Sequence, residues 1–371
     1  MRVLILTVTA GGGHNSTAKA LESEFLSRGA EVVLEDFYLQ VSKLLFELVD
    51  RGYRFSVQHM RRPYKTAYNS LERHEHVRRT VAVLGGNWLF SRKYARKLRD
   101  LMPDVIISTH VFAAQMLNIL KQRGLLDAPV IGVNTDYCIQ PFWEEIGDIE
   151  YILTGSDLLN LSAIKKGIPE RLLLPLGLPV RAQFQNTVPT EEAREKLGLD
   201  PKLHTVLIMG GSMGYGDMSS TVRSIDSIGE PMQIICICGT NERMKLNLEQ
   251  VRTKSKLLVC GFVQEVELYM DASDVLVTKP GGLTVTEAMV KNLPMILIDP
   301  IPGHEERNSD FLVNNGVALR VSETTSVDEA LYYLLKHPER FDMMRRSLEL
   351  IAHPYATERV VDFALELAVR N

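Results

Sequence analysis

The sequence predicts an α/β protein built from two doubly wound, Rossmann-like domains with parallel sheets. Three observations predict it. The 371 residues are too many for one ordinary core and suit two domains. Two successive stretches alternate short β-branched apolar runs with segments of helical period, the pattern of parallel sheets flanked by helices. Each stretch also contains a strand, a glycine loop and a helix in succession, and such sheets bind ligands at the carboxyl ends of their strands.

Arg2 to Val8 is an apolar, β-branched run that reads as a buried parallel strand. It breaks at Gly11-Gly12-Gly13-His14, and a helix over 15–28 follows through Ala18, Leu21 and Phe25, capped by Asn15 or Ser16. Strand 31–35, helical material over 38–100, strand 104–108, helix 111–123 and strand 129–134 continue the first set. Strand 149–154, helix 156–167 and strand 171–175 complete it. Leu176 to Pro189 has no clear period and holds two prolines, so it reads as a linker. The second set is strand 204–209, helix 217–228, strand 232–238, helix 241–252 and strand 256–260. Helix 264–271, strand 275–277, helix 284–291 and strand 294–298 follow, and the tail from Pro354 is a last helix.

With 45% hydrophobic and 24% charged residues and no low-complexity tract, the chain reads as globular throughout. No apolar run approaches the roughly 18 residues that span a bilayer. The apolar N-terminus is better explained as the first strand than as a signal peptide. Cys138, Cys236, Cys238 and Cys260 lack zinc spacing and read as buried free thiols of a reduced, cytosolic protein. The net charge of −4 hides an asymmetry: Arg51 to Arg99 holds 13 Lys/Arg against Glu72 and Glu75, a net +11 that leaves −15 elsewhere. Aromatic residues interleave with this basic block, so it predicts attachment to an anionic membrane surface, with the solvated face of ordinary helices as the other reading. No nucleic-acid recognition module is visible.

Two motifs carry chemistry. Thr278-Lys-Pro-Gly-Gly-Leu-Thr-Val-Thr-Glu-Ala-Met289, then Leu293-Pro-Met-Ile-Leu-Ile-Asp-Pro-Ile-Pro-Gly-His-Glu-Glu-Arg-Asn308, places a glycine pair between a strand and a helix with an acid one turn in. That combination seats a nucleotide diphosphate and its ribose. The opening Gly11-Gly-Gly-His-x-x-x-Ala18 is the second. It is not a P-loop, which needs Gly-Lys-Ser/Thr, and Ser16 stands where a dinucleotide fingerprint needs its third glycine. The first motif resembles the donor-site signature of glycosyltransferase family 28. The second is similar to the opening of the chloroplast galactolipid synthases and their bacterial relatives in that family.

The resemblance implies the GT-B architecture, two facing doubly wound domains with an inter-domain cleft. Residues 1–177 would form the acceptor and membrane-binding domain, with the helix 355–371 packing back on it, and 178–354 the UDP-sugar domain. It implies diphosphate contacts at Gly211, Ser212, Met213 and Gly214 in the loop Gly210 to Gly216, and N–H donors at Gly281, Gly282 and Leu283. Glu287 would accept the ribose hydroxyls, and Phe262 with Val263 would hold the uracil. His304, Glu305, Glu306 and Asn308 would face the hexose from a loop, although relatives often carry Gln at the position of His304. On the acceptor side it implies Gly12, Gly13, His110 and Trp143, the last either lining the acceptor path with Phe142 or serving as a core aromatic. The base is His14 or Asp136. Plant-type relatives have an aspartate two residues before the glycines to orient the histidine; Thr9 stands there in this sequence, so the orienting acid either comes from elsewhere, with Asp136 the obvious substitute, or is missing.

With no Asp-x-Asp in the chain, no tightly bound metal or cofactor is expected, and leaving-group charge would fall to backbone N–H groups and a helix dipole, with a loosely held cation as a further candidate. The expected function is inverting transfer of a hexose from a UDP-sugar to diacylglycerol at the cytoplasmic membrane face. Rivals are a UDP-GlcNAc transferase to an undecaprenyl-linked acceptor, a UDP-sugar epimerase, and a non-catalytic UDP-sugar sensor.

Overall fold

The computed structural model describes residues 1–8, 12–37, 39, 66, 94–211, 214 and 216–370. Thr9, Gly11, Ser212, Met213 and nearly all of the basic segment 51–99 lie outside the described residues. The chain divides into two compact units: Met1–Arg181 with Pro302–His304 and Tyr355–Asn371, and Ala182–Ile301 with Glu305–Pro354.

In the first unit the described strands are β1 (Arg2–Thr7), β2 (Glu31–Asp36), β3 (Val105–Ser108), β4 (Val130–Val133), β5 (Tyr151–Leu153) and β6 (Leu173–Leu174). They form one parallel sheet in the order β2-β1-β3-β4-β5-β6. Val3 to Leu6, Val105 to Ile107 and Val130 to Ile131 are wholly buried. Continuous burial, rather than alternation, is what a parallel sheet covered on both faces demands. Helix Gly12–Ser27 follows β1 and helix Val111–Gln122 follows β3. The last helix, Ala356–Arg370, is joined to this unit by the Arg28–Asp362 ion pair at 2.9 Å and the edge-on Tyr151–Phe363 rings at 4.9 Å.

The second unit repeats the plan with β7 (His204–Met209), β8 (Met232–Ile237), β9 (Lys256–Cys260), β10 (Val275–Thr278), β11 (Met295–Leu297) and β12 (Ala318–Arg320). Their order is β12-β11-β10-β7-β8-β9, again parallel. Ile208, Ile234, Val277 and Ile296 from the strands pack in one core with Val222, Leu331 and Leu334 from the helices. In both sheets the order reverses about the first strand. The switch points lie between β1 and β3 and between β7 and β10.

Several expectations are corrected. The first helix begins at Gly12, so Asn15 and Ser16 lie inside it rather than at its N-cap; Asn15 Oδ1 accepts from the Thr7 hydroxyl at 2.8 Å. The expected loop at 303–308 is the start of helix His304–Asn314. Residues 156–167 split into a 3-10 turn, Asp157–Leu159, and helix Asn160–Lys165. The expected linker holds a 3-10 turn, Ala182–Gln185, whose Phe184 is fully buried. Helices Val327–Lys336 and Pro338–Ile351 and strand β12 went unread, although Ser326 and Glu329 form a capping box that marks the first of them. Among the described residues no helix is long and apolar enough to cross a membrane. The four cysteines are free thiols, three of them buried.

Trp143 proves to be a core aromatic. Its indole is 2% exposed on the 3-10 turn Pro141–Glu145, and a Cβ at Gly132 of β4 would meet it at 2.6 Å. Gly132→Ala is therefore expected to destabilise the chain by about 1–3 kcal/mol through overpacking, read as a lower urea midpoint.

Candidate active site

The switch point of the first unit brings together residues from three strand ends. Leu6 of β1 lies beside Ser108 of β3, and the Leu6 carbonyl accepts from the Thr109 N–H at 2.8 Å. His14 rises from the first turn of the helix after β1. Its Nδ1 lies 2.6 Å from the Thr109 carbonyl oxygen. A carbonyl only accepts, so this contact places the proton on Nδ1 and leaves Nε2 as the basic atom of the neutral ring. The Nδ1 proton is thus held by the backbone of the loop after β3, the alternative in which the orienting acid is missing.

His110 N-caps helix Val111–Gln122. Its Nδ1 accepts from the Phe112 N–H at 3.2 Å, which requires that nitrogen to be unprotonated. The two imidazoles meet edge to face with centroids 4.6 Å apart, and a row of rings continues through Phe112 and Phe142. Burial lowers the His110 pKa well below its ordinary value, with the neighbouring His14 adding to the effect. Burial also lowers that of His14, opposed by the Thr109 carbonyl and by the charge of Asp136. Both rings are accordingly neutral at pH 7. Asp136, in the loop after β4, is 6% exposed and accepts from the Gln140 side chain. Asn134, itself 1% exposed, holds that loop by donating to the carbonyls of Asp136 and Cys138 at 2.9 and 3.0 Å.

The switch point of the second unit unites the two glycine loops. The Thr278 hydroxyl, at the end of β10, donates to the Met209 carbonyl at the end of β7 at 3.0 Å. After β7, Gly211, Gly214 and Gly216 have φ of +74°, +59° and +97°. Gly214 is required twice over, because a Cβ there would also collide with the Cys238 carbonyl oxygen. Asn241 pins the same loop by donating to the Gly214 carbonyl at 3.0 Å, while its Oδ1 caps helix Glu242–Glu249. After β10, Gly281 is the N-cap of helix Gly282–Val290 and supplies no side-chain cap. The first-turn N–H groups of Gly282 and Leu283 have no partner within the helix and lie at the positive end of its dipole. Glu287 stands half-buried one turn further on. Phe262, just past β9, is 67% exposed, a large aromatic face open beside half-buried Val263.

Residues 14–180 match the family model for monogalactosyldiacylglycerol (MGDG) synthase, and residues 205–363 match that for the glycosyltransferase family 28 C-terminal domain. The chain belongs to glycosyltransferase family 28. The chloroplastic monogalactosyldiacylglycerol synthase of Spinacia oleracea is 33% identical over 85% of this chain; the match spans 62% of that protein's length. The processive diacylglycerol beta-glucosyltransferase of Bacillus pumilus is 26% identical over 98% of this chain and 94% of its own. Among solved structures, Acinetobacter baumannii MurG superposes with a TM-score of 0.67 at 18% identity, covering 98% of this chain and 99% of that one. The fold of this family 28 chain is GT-B.

Within the family 28 site, Glu305 and Asn308 depart from the expected hydroxyl-reading role. Both are buried on helix His304–Asn314 and already bonded. Glu305 accepts from the Ile301 N–H at 2.6 Å and pairs with Lys279 at 3.4 Å, while Asn308 donates to the Pro280 carbonyl at 3.0 Å. They clamp the glycine loop after β10. His304 and Glu306 are half-buried on the same turn. Thr109, Asn241 and Lys279 are the groups that sequence reasoning missed. Asn241 before Glu242 carries an N-cap signal; Lys279 lies inside the quoted motif, but only the fold reveals its partner. Among the described residues no group of three or more potential ligands is placed to hold a metal ion.

Two predictions follow from this geometry. A histidine whose folded pKa lies below its unfolded value of about 6.5 binds protons more weakly in the native state. Stability is thus fully present above pH 6.5 and declines as pH falls toward the folded values, by up to about 1.4 kcal/mol per pH unit for each proton taken up. His110→Asn keeps a capping acceptor and should flatten that decline, measured as urea midpoints at pH 7.5 and 5.5. Glu305→Ala leaves the buried Lys279 ammonium without its carboxylate and should cost about 3–5 kcal/mol. Adding Lys279→Met should recover part of the loss in the same denaturation assay.

Proposed function

We propose that the chain transfers a hexose from a UDP-sugar to the hydroxyl of diacylglycerol, inverting the anomeric centre, at the cytoplasmic face of a membrane. The observation that carries the reading is the tautomer of His14. A backbone carbonyl holds the Nδ1 proton, so a neutral Nε2 lone pair stands at the first unit's switch point, supplied with the charge of Asp136. Such a nitrogen takes the proton of an attacking hydroxyl. The alcohol oxygen bonds to the sugar C1, the bond from C1 to the diphosphate oxygen breaks, and UDP leaves with the electron pair. One displacement inverts C1 and needs no carboxylate nucleophile. Of the two candidate bases, His14 takes the proton. Asp136, buried and bonded to Gln140, stabilises the imidazolium that forms.

In the second unit, the N–H groups of Gly282 and Leu283 and the glycine loop after β7 receive the diphosphate, compensating the leaving-group charge without a bound metal. Glu287 accepts the ribose hydroxyls, and Phe262 stacks on the uracil, which accounts for an aromatic face left open to solvent. The acceptor class rests on the match to diacylglycerol glycosyltransferases along nearly the whole chain.

Anionic liposomes containing diacylglycerol, incubated with the protein and mixed UDP-sugars, should yield a lipid one hexose heavier than diacylglycerol by mass spectrometry. His14→Ala should lower turnover by about 10²–10⁴-fold, the usual contribution of a general base, while UDP affinity stays within a factor of two. Retained UDP binding with no glycolipid product in the wild-type protein would sink the diacylglycerol assignment.

A further inference from the structure

Resting on the UDP-sugar reading above, we infer that Asp299 is the carboxylate that reads the hydroxyls of the donor hexose and sets which UDP-hexose is accepted. Asp299 lies in the loop after β11, two residues beyond Leu297. Its Oδ2 lies 3.4 Å from where a Gly216 Cβ would stand. Gly216 closes the glycine loop after β7, and β10 lies between β7 and β11 in the sheet. The carboxylate thus reaches across the end of β10, over the switch point where the two glycine loops meet.

The backbone there is strained. Asp299 has a φ of +44°, in the region that favours glycine, and Pro300 follows it. A residue before proline is driven toward extended conformations, so this position departs from preference on two counts. Nothing local repays the departure: the side chain is exposed, and among the described residues no hydrogen bond or ion pair holds it. Glycine would serve the turn better. An uncompensated outlier at the carboxyl edge of a sheet points to a ligand.

The chemistry of the group narrows that ligand. A carboxylate beside a diphosphate loop repels phosphate and accepts hydrogen bonds from hydroxyls, and its two oxygens match the adjacent hydroxyls of a pyranose. Glu305 and Asn308 are bonded to Lys279, Ile301 and Pro280, so Asp299 adds an exposed carboxylate to the half-buried His304 and Glu306 of the next helix.

The test is calorimetric titration of the full chain with UDP, UDP-glucose and UDP-galactose, for wild type, Asp299→Ala and Asp299→Gly. UDP affinity should hold or rise in both variants, since the carboxylate repels phosphate, whereas affinity for the preferred UDP-hexose should fall by about tenfold or more. The gap between glucose and galactose donors should narrow. The Tm of Asp299→Gly should be no lower than that of wild type, since glycine relieves the backbone. Equal weakening of UDP and UDP-hexose, or a lower Tm, would make Asp299 a support of the loop and overturn the inference. Unchanged UDP-hexose affinity would overturn it too, as would a hexose preference that requires added Mg²⁺ and disappears with chelator. A wild-type protein that binds no UDP removes the donor reading itself, a result distinct from any failure confined to the variants.

Discussion

A parallel sheet whose strand order reverses about its first strand cannot close over its own carboxyl edge. The connections leaving β1 and β3 depart in opposite directions, as do those leaving β7 and β10, and a crevice opens between them. Backbone N–H groups and helix N-termini gather at that crevice because every strand in the sheet points the same way. The chemistry assigned to this chain follows from that constraint. His14, His110 and Asp136 stand at the ends of β1, β3 and β4, and both glycine loops stand at the ends of β7 and β10.

Loops at such an edge have no ladder to hold them, and the chain fixes them with buried polar groups. Thr278 ties β10 to β7, Asn241 ties the first glycine loop to the loop after β8, and Asn308 ties the second to helix His304–Asn314. Each contributes only about 0.5–1.5 kcal/mol net, but an unmade bond at a buried site costs more than a made one gains, so the loops have one satisfactory arrangement. The Lys279–Glu305 pair follows the same logic with charges. Its value lies less in net stability than in the penalty of separating it, which holds a loop and a helix in one register.

The first unit handles polarity in the opposite way, by keeping groups neutral. His14 and His110 are packed ring against ring, and burial disfavours a cation on either. One ring gives its Nδ1 proton to a carbonyl and the other accepts an amide proton, so two chemically identical side chains are held in opposite tautomers by backbone alone. A capping histidine and a basic histidine are the outcome.

Much of this was legible in the chain itself. Continuous apolar runs such as Arg2 to Val8 and Val275 to Val277 declare strands buried on both faces, and glycine loops between strand and helix declare where ligands meet a parallel sheet. Both signals are local, which is why the α/β class, the succession of most strands and helices along the chain and the positions of His14, Gly281 and Glu287 could be read from sequence alone, while the order of strands within each sheet could not. What lay beyond reach depends on partners distant in sequence. Glu305 and Asn308 look like free hydroxyl readers until Lys279, Ile301 and Pro280 are seen to hold them. Trp143 looks like an acceptor wall until Gly132 is found beneath its ring. Thr109, 95 residues from His14, supplies the carbonyl that a missing aspartate seemed to demand. Residue type and spacing announce what a side chain is able to do; only tertiary packing decides which of its bonding atoms remain for a ligand, because a buried donor or acceptor must first satisfy its neighbours.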